Sequence, residues 1–397
     1  MKWEKVKLSE VTEYITDGDH QPAPKSDSGV LFVKIKDIQD NRLTFDNALF
    51  VPQEYYNRLR KNRKAEYGDT LYTVVGSYGI PAFVNHNIPF CFERNIALLH
   101  PNNRVIPKYL YYAVNNRIFY GNANNIANGS AQKLIPLSKL AGMEISVPPI
   151  ERQETIVNIL SAYDDLIENN QKQIKLLEEA AQRLYKEWFI DLRFPGHENV
   201  KIVDGVPEGW ERMVLSEVTS ILKRGISPKY SDNGKYSVIN QKCIRSSIMD
   251  ISESRRQEKE YVPTLNLQDS DTVICSTGTG TLGRVGRVYG DYPNTTFDSH
   301  VTLVRAKENP NYIYHVVKSQ QEYLMGMGRG STNQQELYRD VIERLVVLCP
   351  SQDILLKAER VLNAIHCKIK AVYLQNNLLV ESRDRLLPKL MSGEIEV

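Results

Sequence analysis

Cysteine is scarce and unpatterned in this chain. Its 397 residues include five (Cys91, Cys243, Cys275, Cys349 and Cys367), an odd number, never spaced as Cys-x-x-Cys. That argues against a disulfide-stapled scaffold or a zinc knuckle and fits a reducing cytoplasm. Long apolar runs are missing too. A stretch such as Leu345–Pro350 is far below the ~20 residues of a membrane span, and mean hydropathy is −0.40. The opening Met1-Lys2-Trp3-Glu4-Lys5 lacks the apolar stretch of a signal peptide, so the expected location is cytoplasmic. Neither sign of charge dominates: 50 Lys+Arg against 48 Asp+Glu leave +2. The whole chain is therefore not a strongly basic nucleic-acid protein. What is present is ordinary globular material, 42% apolar and 25% charged, with 22 tyrosines. At ~150 residues per domain, two or three domains are expected.

Catalytic signatures are also lacking. No Walker GxxxxGK[ST], HExxH or GxSxG occurs. Gly278-Thr279-Gly280-Thr281-Leu282-Gly283 has the letters of a dinucleotide fingerprint. Such a site needs a helix to follow, so that its N-terminus faces the pyrophosphate. Here Arg284-Val285-Gly286-Arg287-Val288 alternates like a strand, so a turn between strands is expected. The single Pro-Pro, Pro148-Pro149, is not flanked as a base-methyltransferase tetrad would be. His20, His86, His300 and His315 stand isolated and read as ordinary surface or core residues. No metal set and no catalytic residue is expected.

The chain repeats itself. Trp3 and Leu8-Ser9-Glu10-Val11-Thr12 return 207 residues on as Trp210 and Leu215-Ser216-Glu217-Val218-Thr219. Gly68-Asp69-Thr70-Leu71 returns as Ser270-Asp271-Thr272-Val273, and Tyr109-Leu110-Tyr111 as Tyr312-Ile313-Tyr314. Gly76-Ser77-Tyr78-Gly79 answers the Gly278–Gly283 loop, and Gly129-Ser130-Ala131-Gln132-Lys133 answers the loop from Gly330 to Gln334. Landmarks in one order at similar offsets mean a duplicated unit. Each unit opens with short β-type runs punctuated by Gly, Pro, Asn and Asp. Each closes with a long helical run entered at a proline, Pro148-Pro149 or Pro350. The expected domains are 1–150, a first globular domain; 151–194, a helix; 195–349, a second globular domain; and 350–397, a second helix.

Both helical runs carry an unbroken 4-3 stripe. The first is Ile156, Leu160, Tyr163, Ile167, Asn170, Ile174, Leu177, Ala181, Leu184 and Trp188. The second is Ala358, Leu362, Ile365, Ile369, Val372, Asn376, Leu379, Arg383, Leu386 and Leu390, with one charged intruder. So narrow a seam predicts coiled-coil rods that pack on each other. At ~1.5 Å per residue each stripe spans roughly 48 Å. Charge follows the plan: 1–150 carries +4, 151–198 carries −4, and 199–349 and 350–397 carry +1 each. The first rod is thus poorly suited to lie along phosphates. Arg58-Leu59-Arg60-Lys61-Asn62-Arg63-Lys64 is a local basic cluster that either meets a backbone or is a solvated face.

These residues resemble a known family. Pro207-Glu208-Gly209-Trp210-Glu211 with Leu215-Ser216-Glu217-Val218 looks like the opening of a target-recognition domain. Val147-Pro148-Pro149-Ile150-Glu151-Arg152-Gln153-Glu154-Thr155-Ile156 resembles the entry to its spacer helix; Pro350-Ser351-Gln352-Asp353-Ile354 departs from that pattern. Gly129-Ser130-Ala131-Gln132 and Gly330-Ser331-Thr332-Asn333-Gln334 resemble the segment near a recognition domain's end. The doubled plan is similar to the specificity subunit of type I restriction–modification enzymes over the whole chain.

The resemblance implies an α/β (α+β) fold: two duplicated target-recognition domains separated by two long antiparallel coiled-coil helices, with pseudo-two-fold symmetry. It implies a noncatalytic, sequence-specific DNA-binding subunit whose domains each read one half of a bipartite duplex target. The helices would fix the spacer and dock two modification subunits; two restriction subunits would complete the enzyme. No cofactor is expected on this chain, with S-adenosylmethionine, ATP and Mg left to those partners. No membrane is implied. The alternative is a fused or stand-alone DNA methyltransferase or nuclease with an unrecognised site.

Loop residues recurring in both units are the candidates for touching DNA. In the first they are Lys34, Lys36, Ser77, Tyr78, Arg94, Ser130, Gln132 and Lys133; in the second, Gln241, Lys242, Thr279, Thr281, Arg284, His300, Thr332, Asn333 and Gln334. Arg and Lys suit guanine edges or phosphates, Asn and Gln suit adenine. The helix–helix interface is expected along the two stripes. If the rods run antiparallel, Asn170 and Asn376 meet as a polar layer that sets the register.

Overall fold

The computed structural model describes residues 3–39, 41–46, 48–129, 133–330 and 335–397. The chain divides into two compact units: Met1–Glu168 with Asn376–Val397, and Asn169–Gln375.

In the first unit the strands of three or more described residues are β1 (Glu4–Lys7), β2 (Thr12–Asp17), β3 (Val30–Val33), β4 (Leu49–Val51), β5 (Thr70–Thr73), β6 (Pro81–Phe83), β7 (Phe90–Phe92), β8 (Ile96–Pro101) and β9 (Glu144–Val147). They form a four-stranded antiparallel sheet in the order β2-β8-β5-β6, a three-stranded sheet β4-β3-β7, and the pair β1-β9. The three-stranded sheet contains one parallel pair, β3 with β7.

The second unit repeats this plan. Its strands are β10 (Glu211–Val214), β11 (Thr219–Arg224), β12 (Tyr236–Ile239), β13 (Arg255–Gln257), β14 (Thr272–Cys275), β15 (Val285–Arg287), β16 (Thr295–Phe297), β17 (Val301–Ala306) and β18 (Val346–Cys349). Their orders are β11-β17-β14-β15, β13-β12-β16 and β10-β18, with β12 parallel to β16. Each first-unit strand thus has a counterpart nine strands later. Among the helices are α1 (Pro107–Val114), α2 (Arg117–Ile126) and α3 (Ile150–Tyr185), answered by α4 (Pro310–Ser319), α5 (Gln321–Gly326) and α6 (Gln352–Ser392). The fold is two duplicated mixed α/β domains, with the glycine loop 278–283 a turn leading into β15.

The repeated motifs are the joints of this frame. Leu-Ser-Glu-Val-Thr makes a one-turn helix between two strands in each unit. Glu10 Oε1 accepts from Lys7 N at 3.1 Å and Glu217 Oε2 from Val214 N at 3.0 Å. Thr12 and Thr219 hydroxyls donate to the Leu8 and Leu215 carbonyls at 2.8 and 3.0 Å. In Gly/Ser-Asp-Thr, the buried Asp69 and Asp271 carboxylates accept from Glu66 N and Gln268 N at 2.7 and 2.8 Å, which closes the turn into β5 and β14. Tyr109 donates to Ser146 O at 2.7 Å, and Tyr312 to Leu348 O, tying α1 to β9 and α4 to β18.

Gln153 spans the first helix entry. It accepts from Ile106 N at 2.8 Å and donates to Pro148 O at 2.9 Å. The second entry has no such glutamine; instead Glu359 accepts from Asn311 N and Tyr312 N at 3.2 and 2.9 Å. The departure of Pro350-Ser351-Gln352-Asp353-Ile354 from the pattern is thereby explained: another residue, one turn further on, takes over the free N–H groups at a helix start.

α3 is 36 residues long and runs on into a π-turn, Lys186–Ile190; α6 is 41 residues long. Every stripe residue on both is buried or half-buried. Asn170, in the second unit, and Asn376, in the first, are 7% and 8% exposed, and Asn170 Nδ2 and Asn376 Oδ1 find no hydrogen-bond partner. In the first unit, Ile156 and Leu160 of α3 share a core with Leu387, Leu390 and Met391 of α6. The intruder Arg383 places Nη1 2.9 Å from Asp164 Oδ1, and Asp164 Oδ2 accepts from the buried Tyr112 hydroxyl at 2.6 Å. A cation on an apolar stripe is tolerated because a carboxylate faces it. In the second unit, Tyr185 of α3 and Ile354 and Ala358 of α6 join the core around β14, β15 and β17.

Candidate nucleic-acid interface

At one end of the first unit, four loops leave the sheets together. β3 ends at Val33, whose carbonyl accepts from Glu93 N at 3.0 Å. The turn after β7 then reaches β5 through Val74 N to Asn95 O at 2.9 Å. Beyond β5, Val75 bridges Leu134, and Gly76 N donates to Lys133 O at 3.0 Å. The structure therefore brings Lys34, Lys36, Ser77, Tyr78, Arg94 and Lys133 to a common end.

They fall into two groups. Tyr78 donates to Asn124 Oδ1 and stacks on Tyr120, with ring centroids 6.2 Å apart and 12° between planes. Lys133 Nζ lies 3.2 Å from the same Asn124 oxygen, and Ser77 is exposed beside them. Gly79 (φ +85°) closes this loop; a Cβ there would stand 2.6 Å from the Tyr120 ring, so the stack requires glycine. Lys34 and Arg94 form the second group, on a recess of about 430 Å³ lined also by Phe32, Leu49, Phe50 and Asn95. Lys36 follows on the short 3-10 turn Ile35–Asp37 and is exposed.

The basic cluster after α-helical residues Gln53–Arg58 is partly used within the fold. Arg63 Nη1 lies 3.0 Å from Asp19 Oδ1, whose other oxygen accepts from Tyr55 at 3.1 Å, and Lys64 sits 4.8 Å over the Tyr56 ring.

The second unit assembles the same end with other side chains. Asp298 N donates to Ile239 O at 2.9 Å, Ser276 N to His300 O at 2.8 Å and Leu337 N to Ser276 O at 2.8 Å; Thr277 bridges Glu336. His300 is exposed, with Nδ1 2.6 Å from Thr277 Oγ1. Gln241 and Lys242 sit on the 3-10 turn after β12. Gln241 Cγ would be 3.8 Å from a Cβ on Gly278, so the two loops adjoin. Thr279 is exposed; Thr281 turns inward, its hydroxyl donating to Thr277 O at 3.1 Å. Arg284 is half-buried at the start of the β15 hairpin, where its carbonyl accepts from Cys275 N at 2.9 Å. Ser130, Gln132, Thr332, Asn333 and Gln334 lie outside the described residues. Among the described residues, Leu134 bridges both Asn128 and Val75, and Glu336 bridges both Arg329 and Thr277.

Side chains on strands reach this end as well, beyond the loop residues the sequence points to. Arg224, at the end of β11, pairs with Glu336. Arg255 on β13 lies 3.6 Å over the Tyr230 ring, and Tyr230 hydrogen-bonds Asp298 at 3.4 Å. Burial raises the Asp298 carboxyl, against the backbone N–H of His300 that lowers it. The adjacent arginines Arg255 and Arg256 on a strand were the available signal.

His315 is not isolated, contrary to the sequence reading. Its Nε2 lies 3.0 Å from Nε2 of His366, whose Nδ1 is 2.8 Å from the Tyr289 hydroxyl. Both imidazoles are buried, and burial, reinforced by nearby Arg287, holds them well below the usual histidine range. His315 and His366 stand where Tyr112 and Asp164 stand in the first unit, so this is an internal joint. Among the described residues, no group of three or more His, Cys, Asp or Glu side chains is placed to hold a metal. No helix among them is long and apolar enough to cross a membrane.

Comparison with known proteins bears on the duplicated frame directly. The chain is 28% identical over 324 residues to the specificity subunit of the type I restriction enzyme MjaIX of Methanocaldococcus jannaschii, an alignment covering 78% of this chain and 74% of that one. It is 22% identical to the HindI specificity subunit of Haemophilus influenzae, over 92% and 94% of the two chains. The crystal structure of a type I restriction-modification S subunit from M. genitalium shares the fold, with a TM-score of 0.58 at 17% identity over 98% of this chain and 96% of that one. The family model described as the type I restriction modification DNA specificity domain matches twice, at residues 1–179 and 207–354. With that domain present in both halves of the duplication, the chain belongs to the type I restriction–modification DNA specificity family.

Proposed function

We propose that this chain is the DNA-reading subunit of a type I restriction–modification enzyme, each unit recognising one half of a bipartite duplex target. The observation that carries this reading is a contrast between frame and face. The joints built by Leu-Ser-Glu-Val-Thr, by Asp69 and Asp271, and by Tyr109 and Tyr312 are the same in both units. The loop ends they support differ: Lys34, Arg94 and Asn95 on the first are answered, through the bridges of Glu93 to Asp19 and Asp298 to Ile226, by Asn240, Ser299 and His300 on the second. A shared scaffold with exchanged side chains suits two readers of two different sequences.

In this reading the subunit performs no chemistry of its own and acts in the cytoplasm. Methyl transfer to adenine from S-adenosylmethionine belongs to two modification subunits, docked along α3 and α6. ATP- and Mg-dependent translocation and cleavage belong to two restriction subunits. The helices set the distance between half-sites, as a rigid spacer converts length into base pairs at ~3.4 Å each. The test is an exchange of residues 1–150 for those of a relative, followed by mapping of methylated adenines. One half of the target should change and the other persist. If both halves changed together, the two-reader assignment would fail. Labelled S-adenosylmethionine transferred by the purified chain alone, without a modification subunit, would instead favour a fused methyltransferase.

A further inference from the structure

The recess on the first unit has an unusual lining for a DNA-facing end. Lys34 and Arg94 flank it, neither in a salt bridge among the described residues; Lys25, Asp19 and Glu93 line it too, with Asp19 held by Arg63 and Tyr55 and Glu93 accepting from Ile35 N. Its rim is apolar: Leu49 and Phe50 on β4 are 37% and 36% exposed, with Phe32 buried behind them. Strand register says what stands there in the second unit. Leu49 and Phe50 lie opposite Phe32 and Leu31, whereas Arg255 and Arg256 lie opposite Val238 and Ser237. Where the first unit has Lys34 and Arg94 on loops and an apolar strand edge, the second has cations on the strand edge and the neutral Asn240 and Ser299 at the equivalent loop positions.

A phosphate would use the cations and leave the exposed Leu49 and Phe50 without a role. A base-pair edge uses both. In the major groove, guanine presents two acceptors, N7 and O6, to Arg or Lys, and thymine presents a C5-methyl to apolar side chains. We propose that this recess reads the first half-site through the major groove, with Arg94 and Lys34 donating to guanine N7 and O6 and Leu49 and Phe50 packing on a neighbouring thymine methyl. The first half-site then contains guanine and thymine. The second unit has no apolar rim at the equivalent position and is indifferent to thymine methyls there. This inference rests on the DNA-reading assignment above and names the groups read.

The test uses the full chain assembled with its modification subunits, and a duplex carrying the target mapped by adenine methylation. In the first half-site, guanine is replaced by 7-deazaguanine, which lacks the N7 acceptor, or thymine by uracil, which lacks the methyl. The 7-deaza duplex should bind the parent roughly 5- to 150-fold more weakly. It should bind Arg94→Ala no more weakly than the unmodified duplex does. Uracil should weaken binding about 4-fold in the parent and have no effect in the double variant Leu49→Ala, Phe50→Ala. Uracil in the second half-site should change nothing. Arg94 is exposed, so its removal leaves the fold intact, and Arg94→Lys gives a second reading by keeping the charge without the fork. Equal binding of modified and unmodified first half-sites by the parent would overturn the inference, as would an equal loss in parent and variants. A parent that fails to prefer its mapped target over scrambled duplex would overturn the reader assignment itself.

Discussion

His100 holds Asp69 in the first unit where Arg305 holds Asp271 in the second. The imidazole Nδ1 lies 2.6 Å from Asp69 Oδ1, with the ring stacked on Tyr14 at 4.7 Å. Arg305 meets Asp271 through two nitrogens at 2.7 Å each and also donates to Thr264 O and Asn266 O. Both carboxylates are buried, and burial raises each above the usual carboxylate range, against the partners that lower it. Removing a partner raises the carboxyl further. A raised folded-state pKa means stability that is complete below the unfolded value and lost as pH rises through the folded one. His100→Ala should therefore cost about 1–3 kcal/mol, and Arg305→Ala about 3–5 kcal/mol. Both deficits should be smallest in acid and grow toward neutral pH. Thermal unfolding from pH 4 to 8 measures this; a deficit that shrinks as pH rises would contradict it.

The Asp164–Arg383 pair is the second case. Arg383, on the stripe, meets Asp164 at 2.9 Å and its chain neighbour Asp384 at 2.8 Å. Asp164→Leu alone leaves the half-buried guanidinium with Asp384 only and should destabilise by about 1–3 kcal/mol. Arg383→Leu alone leaves Asp164 with the Tyr112 hydroxyl and should cost less. The double change restores an apolar stripe and should recover most of the loss, which a double-mutant cycle reads as a coupling energy. Additive single effects would show that the two groups are independent.

The His315–His366 joint predicts an acid limit for the second unit. Both imidazoles are held neutral, well below their unfolded range, by burial and by Arg287. Their depressed pKa values give stability that is complete above the ordinary histidine value and lost as pH falls. Each unbalanced proton contributes a slope of about 1.4 kcal/mol per pH unit below ~6.5. The thermal midpoint should be flat from pH 7 to 8 and drop below pH 6. His366→Phe should flatten the acid limb; an unchanged limb would show that other groups set it.

Much of this molecule is legible in the sequence, and the reason is local. Leu-Ser-Glu-Val-Thr, Gly/Ser-Asp-Thr and Tyr-x-Tyr repeat because each makes hydrogen bonds within a few residues or to one fixed strand, so their letters survive duplication. The helical stripes are legible because burial at 4-3 spacing is a one-dimensional pattern. The loop ends are not. Leu49 and Phe50 read as ordinary strand residues, and only the pairing of β3 with β4 sets them beside Lys34 and Arg94. The partners of Arg383 and His315 are equally hidden, because Asp164 and His366 lie 219 and 51 residues away in sequence.

The core containing Leu387, Leu390 and Met391 belongs to the unit that begins at the N-terminus. The ribosome makes Glu168 and then 207 residues of the other unit before it reaches Asn376. At roughly 5–20 residues per second, that is a wait of some ten to forty seconds. The contiguous second unit needs nothing made later. The half synthesised first is thus completed last, and until then its apolar floor stands open to chaperones, proteases and other nascent chains.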